Sequence, residues 1–221
     1  MLVKIKRQKD KASEAYWQEF ECNAAEELSA ASVIDLINEK LKEDEKIAWD
    51  CSCMQKLCGA CAMVINGTPA LACDTFIDPK KEKALVIEPL KKFSVICDLK
   101  VDRSIIYDHQ KDAEIFLGEA GGADPLEFDY QYLASKCLKC GLCLEVCPNY
   151  AEGGKKHFGA VMLNEAYLLS SMSKDRRNEL KKAFSKHFAS CCSGCMACRE
   201  ICPVGISALA TSSYMLKKLK G

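Results

Sequence analysis

Charge of one sign is missing from this 221-residue chain: Lys and Arg number 31, Asp and Glu number 31, and the formal net charge is zero. A nucleic-acid binder is expected to carry a clustered basic excess, so the balance excludes that class of partner. The short basic stretches at residues 4–7, 174–182 and 217–220 read as solvated faces. No apolar run approaches the roughly 18–20 residues needed to span a bilayer. The start of the chain shows no apolar secretory core with a cleavage site, so the expected setting is a reducing cytoplasm. Residues 118–122 are rich in glycine but follow no strand, so they do not form a dinucleotide fingerprint. Ser/His/Asp sets and paired carboxylates are absent as well. The three histidines, His109, His157 and His187, have no metal-ligand spacing and read as isolated surface or packing residues. No flavin or nucleotide site is legible, and any catalytic cofactor is expected on another subunit.

Cysteine, by contrast, is abundant, with 16 residues. In a reducing compartment, clustered pairs two residues apart favour metal over disulfides. Twelve of them form three groups. Cys53, Cys58 and Cys61 read C-x4-C-x2-C, with Cys73 following as a remote fourth. Cys137, Cys140, Cys143 and Cys147 read C-x2-C-x2-C-x3-C and are followed by Pro148. The same run recurs at Cys192, Cys195, Cys198 and Cys202, followed by Pro203. The first spacing is that of plant-type [2Fe–2S] ferredoxins, and the repeated one that of bacterial two-cluster ferredoxins. Zinc competes for any cysteine quartet, but these spacings favour clusters.

Such a ligand set needs closely spaced thiolates on a tight loop and a remote one to close the cage. Gly59, directly after Cys58, allows the backbone to bend toward the sulfides. Cys51 could compete with Cys53, but the four-residue gap to Cys58 favours Cys53. In the repeated runs the fourth cysteine belongs to the other cluster. That gives Cys137, Cys140, Cys143 and Cys202 for one [4Fe–4S] site, and Cys147, Cys192, Cys195 and Cys198 for the other. The remaining Cys22, Cys51, Cys97 and Cys191 read as buried small hydrophobes, with Cys191 able to tune or replace its neighbour Cys192.

Two halves are expected. Residues 3–7 and 16–22 read as paired strands around a polar turn, and residues 32–41 as a helix with Ser32 as its N-cap. Residues 61–65 and 70–73 flank Asn66-Gly67, a hairpin signal, and residues 84–88 form a strand ending at Pro89. Helical patterns then take over at 102–118, 126–136, 158–172, 174–189 and 205–219. The predicted fold is α+β: a [2Fe–2S] ferredoxin (β-grasp) domain at 1–103 and an all-α two-cluster, bacterial-ferredoxin-like domain at 104–221.

That order of domains, the first cluster loop from Cys53 to Cys73 and the joining stretch at 87–102 (Glu88-Pro89-Leu90 through Asp98-Leu99 to Asp102) resemble the iron–sulfur subunit of succinate dehydrogenase and fumarate reductase. The resemblance covers essentially the whole chain. It implies an FAD-containing flavoprotein partner, a quinone-binding membrane-anchor partner, and a place on the cytoplasmic face of the inner membrane through those subunits. Electrons would pass between FAD and quinone through three clusters. Cys195 departs from the family pattern, in which a non-cysteine residue leaves a [3Fe–4S] cluster. With Cys195 present, [4Fe–4S] is favoured over [3Fe–4S], at a lower potential. Ala151, Glu152 and Ser193 replace the tryptophans and histidine that serve the quinone pocket in many relatives. Fumarate reduction in an anaerobe is the favoured direction. The alternatives are a related flavoprotein reductase with another substrate or a soluble donor, and a free-standing ferredoxin-like carrier.

Overall fold

The computed structural model describes residues 1–121, 125–151, 153–207, 211 and 213. By its internal contacts the chain divides into two compact units, Met1–Asp102 and Arg103–Gly221.

The first unit is built on alternation. In β1 (Leu2–Arg7) every second residue is buried, so Val3, Ile5 and Arg7 point inward. Antiparallel to it runs β2 (Tyr16–Glu21), with Val3 opposite Phe20, and this strand is largely exposed as a sheet edge. The chain continues through β3 (Leu28–Ser29), α1 (Ala30–Asn38), β4 (Ala62–Ile65), β5 (Thr68–Leu71), β6 (Phe76–Ile77), β7 (Ala84–Glu88), β8 (Val95–Cys97) and β9 (Lys100–Val101). Five strands form one sheet in the order β2-β1-β7-β4-β5. Only the β1–β7 pair is parallel. A parallel pair requires a long crossover, and here the crossover carries both α1 and the first cysteine loop. This is a β-grasp sheet. Its centre is Val3, Ile5, Leu85 and Ile87, all fully buried, each worth about 1.5–3 kcal/mol of apolar burial.

Two local details depart from expectation. Ser29, in extended conformation, caps α1 by accepting the Ser32 N–H at 3.1 Å. Ser32 is therefore three residues inside the cap, because the chain leaves β3 extended and turns at Ser29. The ladders β3–β6 and β8–β9 are too short to show alternation in the sequence. The β4–β5 hairpin turns at Asn66 (φ 47°) and Gly67 (φ 79°), the pair of positive φ angles a type I′ turn requires.

The second unit is helical: α2 (Ser104–Asp112), a 3-10 turn (Pro125–Glu127) leading into α3 (Phe128–Ser135), α4 (Leu142–Glu145), α5 (Gly159–Met172), α6 (Arg177–Phe184) running into a π turn (Ser185–Ala189), and α7 (Ala197–Glu200). The helix expected at 102–118 stops early. Glu114 adopts φ 51°, its N–H bonds to Lys111 O and that of Ile115 to Gln110 O. Those bonds form a Schellman closure without the usual glycine to announce it. The expected helix at 205–219 falls mostly outside the described residues. The first nine residues of α5, Gly159 to Tyr167, are all buried, and Ala160, Leu163 and Tyr167 pack with Ala134, Phe184 and Phe188 into a core against which Cys143, Cys192 and Cys198 also lie. Gly159 starts α5 at φ 73°, where a Cβ would overlap Leu144 of α4.

Candidate metal centres

In the first unit, Cys53, Cys58 and Cys61 lie on the loop before β4, and Cys73 lies in the 3-10 turn Ala72–Asp74 after β5. The hairpin thus carries Cys73 back to the loop, and Cys61 Sγ and Cys73 Sγ are 3.4 Å apart. Met54 (φ 55°), Lys56 (φ 61°) and Gly59 (φ 74°) turn the loop backbone inside out, so that its N–H groups point at sulfur. Gln55 and Leu57 donate to Cys53 Sγ at 3.4 and 3.3 Å, Lys56 to Cys73 Sγ at 3.3 Å and Ala60 to Cys58 Sγ at 3.4 Å. Amide donors favour a sulfur that carries negative charge. Those on Cys53 bring its thiol down to about 7. Burial pushes Cys61 the other way, up to about 12. Lys56 is anchored to Asp74 at 2.6 Å. Cys51 is exposed, and its thiol turns to Met54 Sδ at 3.3 Å.

The second unit contains two cavities walled by cysteine. One, of about 340 Å³ including its open mouth, is lined by Cys137, Cys140, Cys143 and Cys202, with Leu138, Leu142, Val161 and Ile206 among its apolar walls. The other, of about 410 Å³ measured the same way, is lined by Cys147, Cys192, Cys195 and Cys198, together with Asn149, His157, Phe188 and Met196. Each cavity takes three cysteines from one run and the fourth from the other. Prolines 148 and 203 follow the two crossing cysteines and end the short helical turns that carry them. Burial raises the thiols of Cys137, to about 11, and of Cys143, well above its ordinary value. At Cys198 burial is again the larger cause, with the charges of Cys147, Cys192 and Cys195 adding to it.

The internal repeat extends to the backbone. Lys139 (φ 50°) and Gly141 (φ 89°) occupy the same places in the first run as Gly194 (φ 71°) and Met196 (φ 68°) in the second. After each left-handed pair comes a four-residue helix, α4 and α7. The resulting turn aims amides at sulfur, as Gly194 N–H does to Cys192 Sγ at 3.4 Å.

Two expectations need correcting. Of the four cysteines outside the groups only Cys22 is buried; Cys51 is exposed, and Cys97 and Cys191 are half-buried. Their positions in a loop, a short ribbon and a helix end give them no core to enter. Nor are the histidines isolated: all three are buried, and His109 and His187 stack on opposite sides of Phe158 with centroids 4.1 and 4.0 Å away. His157 enters the second cavity, its Nε2 3.4 Å from Cys147 Sγ. Ten residues separate it from Cys147, a spacing that signals nothing in a sequence. Asn149 donates to Ser193 Oγ at 3.1 Å, another link across this cavity that sequence did not suggest.

Do these residues fit iron–sulfur clusters? Among the described residues, no three Cys, His, Asp or Glu side chains meet as a single metal ion requires. Instead, thiols surround cavities with apolar walls and inward amides, which suits a multi-atom core better than one zinc ion.

Comparison with known proteins agrees. Residues 2–108 match the family described as "2Fe-2S iron-sulfur cluster binding domain", and residues 133–206 match the "4Fe-4S dicluster domain". The chain is 32% identical, over 97% of its length and 90% of the relative's, to the succinate dehydrogenase iron–sulfur subunit of Bacillus subtilis. It is 28% identical to an uncharacterized iron–sulfur protein of Methanocaldococcus jannaschii, and there it spans 99% of itself but 44% of the relative. Its fold matches a chain of the Mycobacterium smegmatis Sdh1 complex in the apo form, with a TM-score of 0.79 at 19% identity, covering 100% of this chain and 97% of that one. The whole-length relationship, the two cluster-binding domains in order and the cysteine-walled cavities together establish that this chain belongs to the family of succinate dehydrogenase iron–sulfur subunits.

Proposed function

We propose that the chain relays single electrons through three clusters between an FAD-containing flavoprotein and a quinone-binding membrane anchor, in a complex of the succinate dehydrogenase and fumarate reductase type. Cys53, Cys58, Cys61 and Cys73 hold a [2Fe–2S] cluster. Cys137, Cys140, Cys143 and Cys202 hold a [4Fe–4S] cluster. Cys147, Cys192, Cys195 and Cys198 hold the third, favoured as [4Fe–4S] over [3Fe–4S]. The observation that carries this reading is the crossed lining of the two cavities, each drawing its fourth cysteine from the other run.

When bound, the clusters supply the redox chemistry. The chain's own residues fix the thiolates, direct amide N–H groups at sulfur to favour the more negative reduced state, and line the two cavities of the second unit with apolar side chains. Cys143, Cys192 and Cys198 lie against one hydrophobic core, which sets two of the sites side by side across packed side chains. Among the described residues no helix is long and apolar enough to cross a membrane. Association with the cytoplasmic face of the membrane is thus assigned to the partner subunits. Fumarate reduction is the favoured direction because a fourth thiolate at the third site lowers its potential.

Anaerobic purification of the full chain with whatever co-purifies, followed by EPR of oxidised and dithionite-reduced samples, tests this. Three reducible clusters and an FAD-containing partner are expected. Recovery of a three-cluster chain with no flavoprotein would sink the complex and leave the free-standing carrier. A flavoprotein that turns over another substrate would move the reading to a related reductase.

A further inference from the structure

The ring of His157 is buried, with 5% of its surface exposed. Phe188 lies beside it at a centroid distance of 5.6 Å, and its Nε2 is 3.4 Å from Cys147 Sγ. Nδ1 is buried and makes no hydrogen bond among the described residues, although the His187 backbone is near enough to act on the ring. A cluster-bound thiolate at Cys147 can only accept, so an unprotonated Nε2 would set its lone pair against the sulfur. We assign the proton to Nε2, where it faces sulfur.

We propose that His157 is a positioning residue for the third cluster, donating a fixed N–H···S hydrogen bond to Cys147 that raises the potential of that site. This rests on the three-cluster reading above. A cluster thiolate gains negative charge when an electron arrives, so a donor already aimed at it stabilises the reduced state more than the oxidised one. The step is the gain of one electron, from dithionite in the test below; no bond forms or breaks and no proton moves. At the other crossing cysteine, Cys202, the corresponding donor is the backbone N–H of Ile206 at 3.3 Å, which no side-chain substitution removes. At Cys147 the His157 donor belongs to a side chain and can be changed. Its effect opposes that of Cys195, the fourth thiolate in the same cavity, whose charge lowers the potential.

The test is an EPR-monitored redox titration of the anaerobically purified chain with its co-purifying partners, in the wild type, His157→Phe and His157→Gln. Loss of the donor in His157→Phe should shift the reduced-to-oxidised ratio of the third cluster about tenfold, or about 59 mV downward for one electron. The other two clusters should not move. His157→Gln keeps an amide donor and should recover at least half of the shift. An unchanged potential in His157→Phe overturns the proposal, and so do equal shifts in both variants, which would mark a packing role. Should His157→Phe not assemble, the wild type still decides. With ¹⁵N-labelled histidine, pulsed EPR of the reduced third cluster should show a weakly coupled histidine nitrogen, and its absence overturns the proposal. Failure of the underlying reading is distinct, since wild-type chain with only two clusters by iron analysis and EPR shows it before any variant is made, and it takes the proposal down with it.

Discussion

Arg7 Nε lies 2.9 Å from Asp98 Oδ1, with only 8% and 4% of the two side chains exposed. Asp98 also accepts the N–H groups of Gln8 at 3.0 Å and Ala48 at 2.9 Å, while Arg7 Nη2 donates to the carbonyls of Glu45 and Lys46 at 3.1 and 3.2 Å. The pair therefore fastens residues 45–48, the approach to the first cysteine loop, to β1 and to the β8–β9 ribbon.

A buried pair of this kind matters chiefly when broken, because the surviving charge is left without a counter-ion. Asp98→Asn tolerates the local φ of 47° but strands Arg7, and should cost about 3–5 kcal/mol. Arg7→Met with Asp98→Asn should recover part of that loss. Denaturant midpoints followed by [2Fe–2S] absorbance measure both; a double variant no better than the single one would show that the hydrogen bonds, not the charges, carry the clasp.

The loop geometry separates two neighbouring cysteines. Cys53 receives two backbone amides, whereas Cys51 faces Met54. Cys53→Ser should abolish the reduced [2Fe–2S] EPR signal or distort its g-values strongly. Cys51→Ser and Cys22→Ser should leave all cluster signals intact. Loss of the [2Fe–2S] signal in Cys51→Ser would exchange the roles of Cys51 and Cys53.

Sequence reading succeeded where one residue type carries the geometry. The alternation of β1, the Asn66-Gly67 turn and the two C-x2-C-x2-C-x3-C-P runs are local patterns, and each leads directly to an element or a cavity wall. What stayed hidden depends on partners distant in sequence or on conformations that side chains do not announce. Glu114 closes α2 in a left-handed conformation usually given to glycine. Met196 does the same in the second cysteine run, where its counterpart in the first is Gly141. His109 and His187 come together because α2 and the π turn meet around Phe158, and His157 packs on Phe188 of that same turn; no spacing in the chain encodes that meeting.

Those histidines give the second unit a pH dependence. Burial is the main cause that lowers His109 and His187 below the ordinary histidine value; Asp108 and Asp112 oppose it at His109, and Lys186 adds to it at His187. The folded state thus binds fewer protons than the unfolded chain. Their contribution to stability is complete above about pH 6.5 and is lost as the pH falls below it. Between pH 6.5 and 5, unfolding midpoints should fall, at up to about 1.4 kcal/mol per pH unit for each group. His109→Phe, which keeps the stack on Phe158, should flatten the slope. A slope unchanged by that substitution would remove His109 from the acid sensitivity and leave it to His187.

Cys195 lines the second cavity while remaining exposed. Its three companions are half-buried, and Cys147 and Cys198 belong to opposite runs. An exposed thiolate is the ligand most easily lost from such a site, and removing it leaves three thiolates around the remaining iron. Cys195→Ser should therefore convert the third cluster to a three-iron form. The variant should gain, when oxidised, a [3Fe–4S] EPR signal that the anaerobic wild type lacks, and one fewer iron per chain. Its potential should rise, because a negatively charged ligand has gone. A wild type that already shows the full [3Fe–4S] signal, unaltered by Cys195→Ser, would place Cys195 outside the ligand set and remove the argument that this cavity favours electron flow toward fumarate.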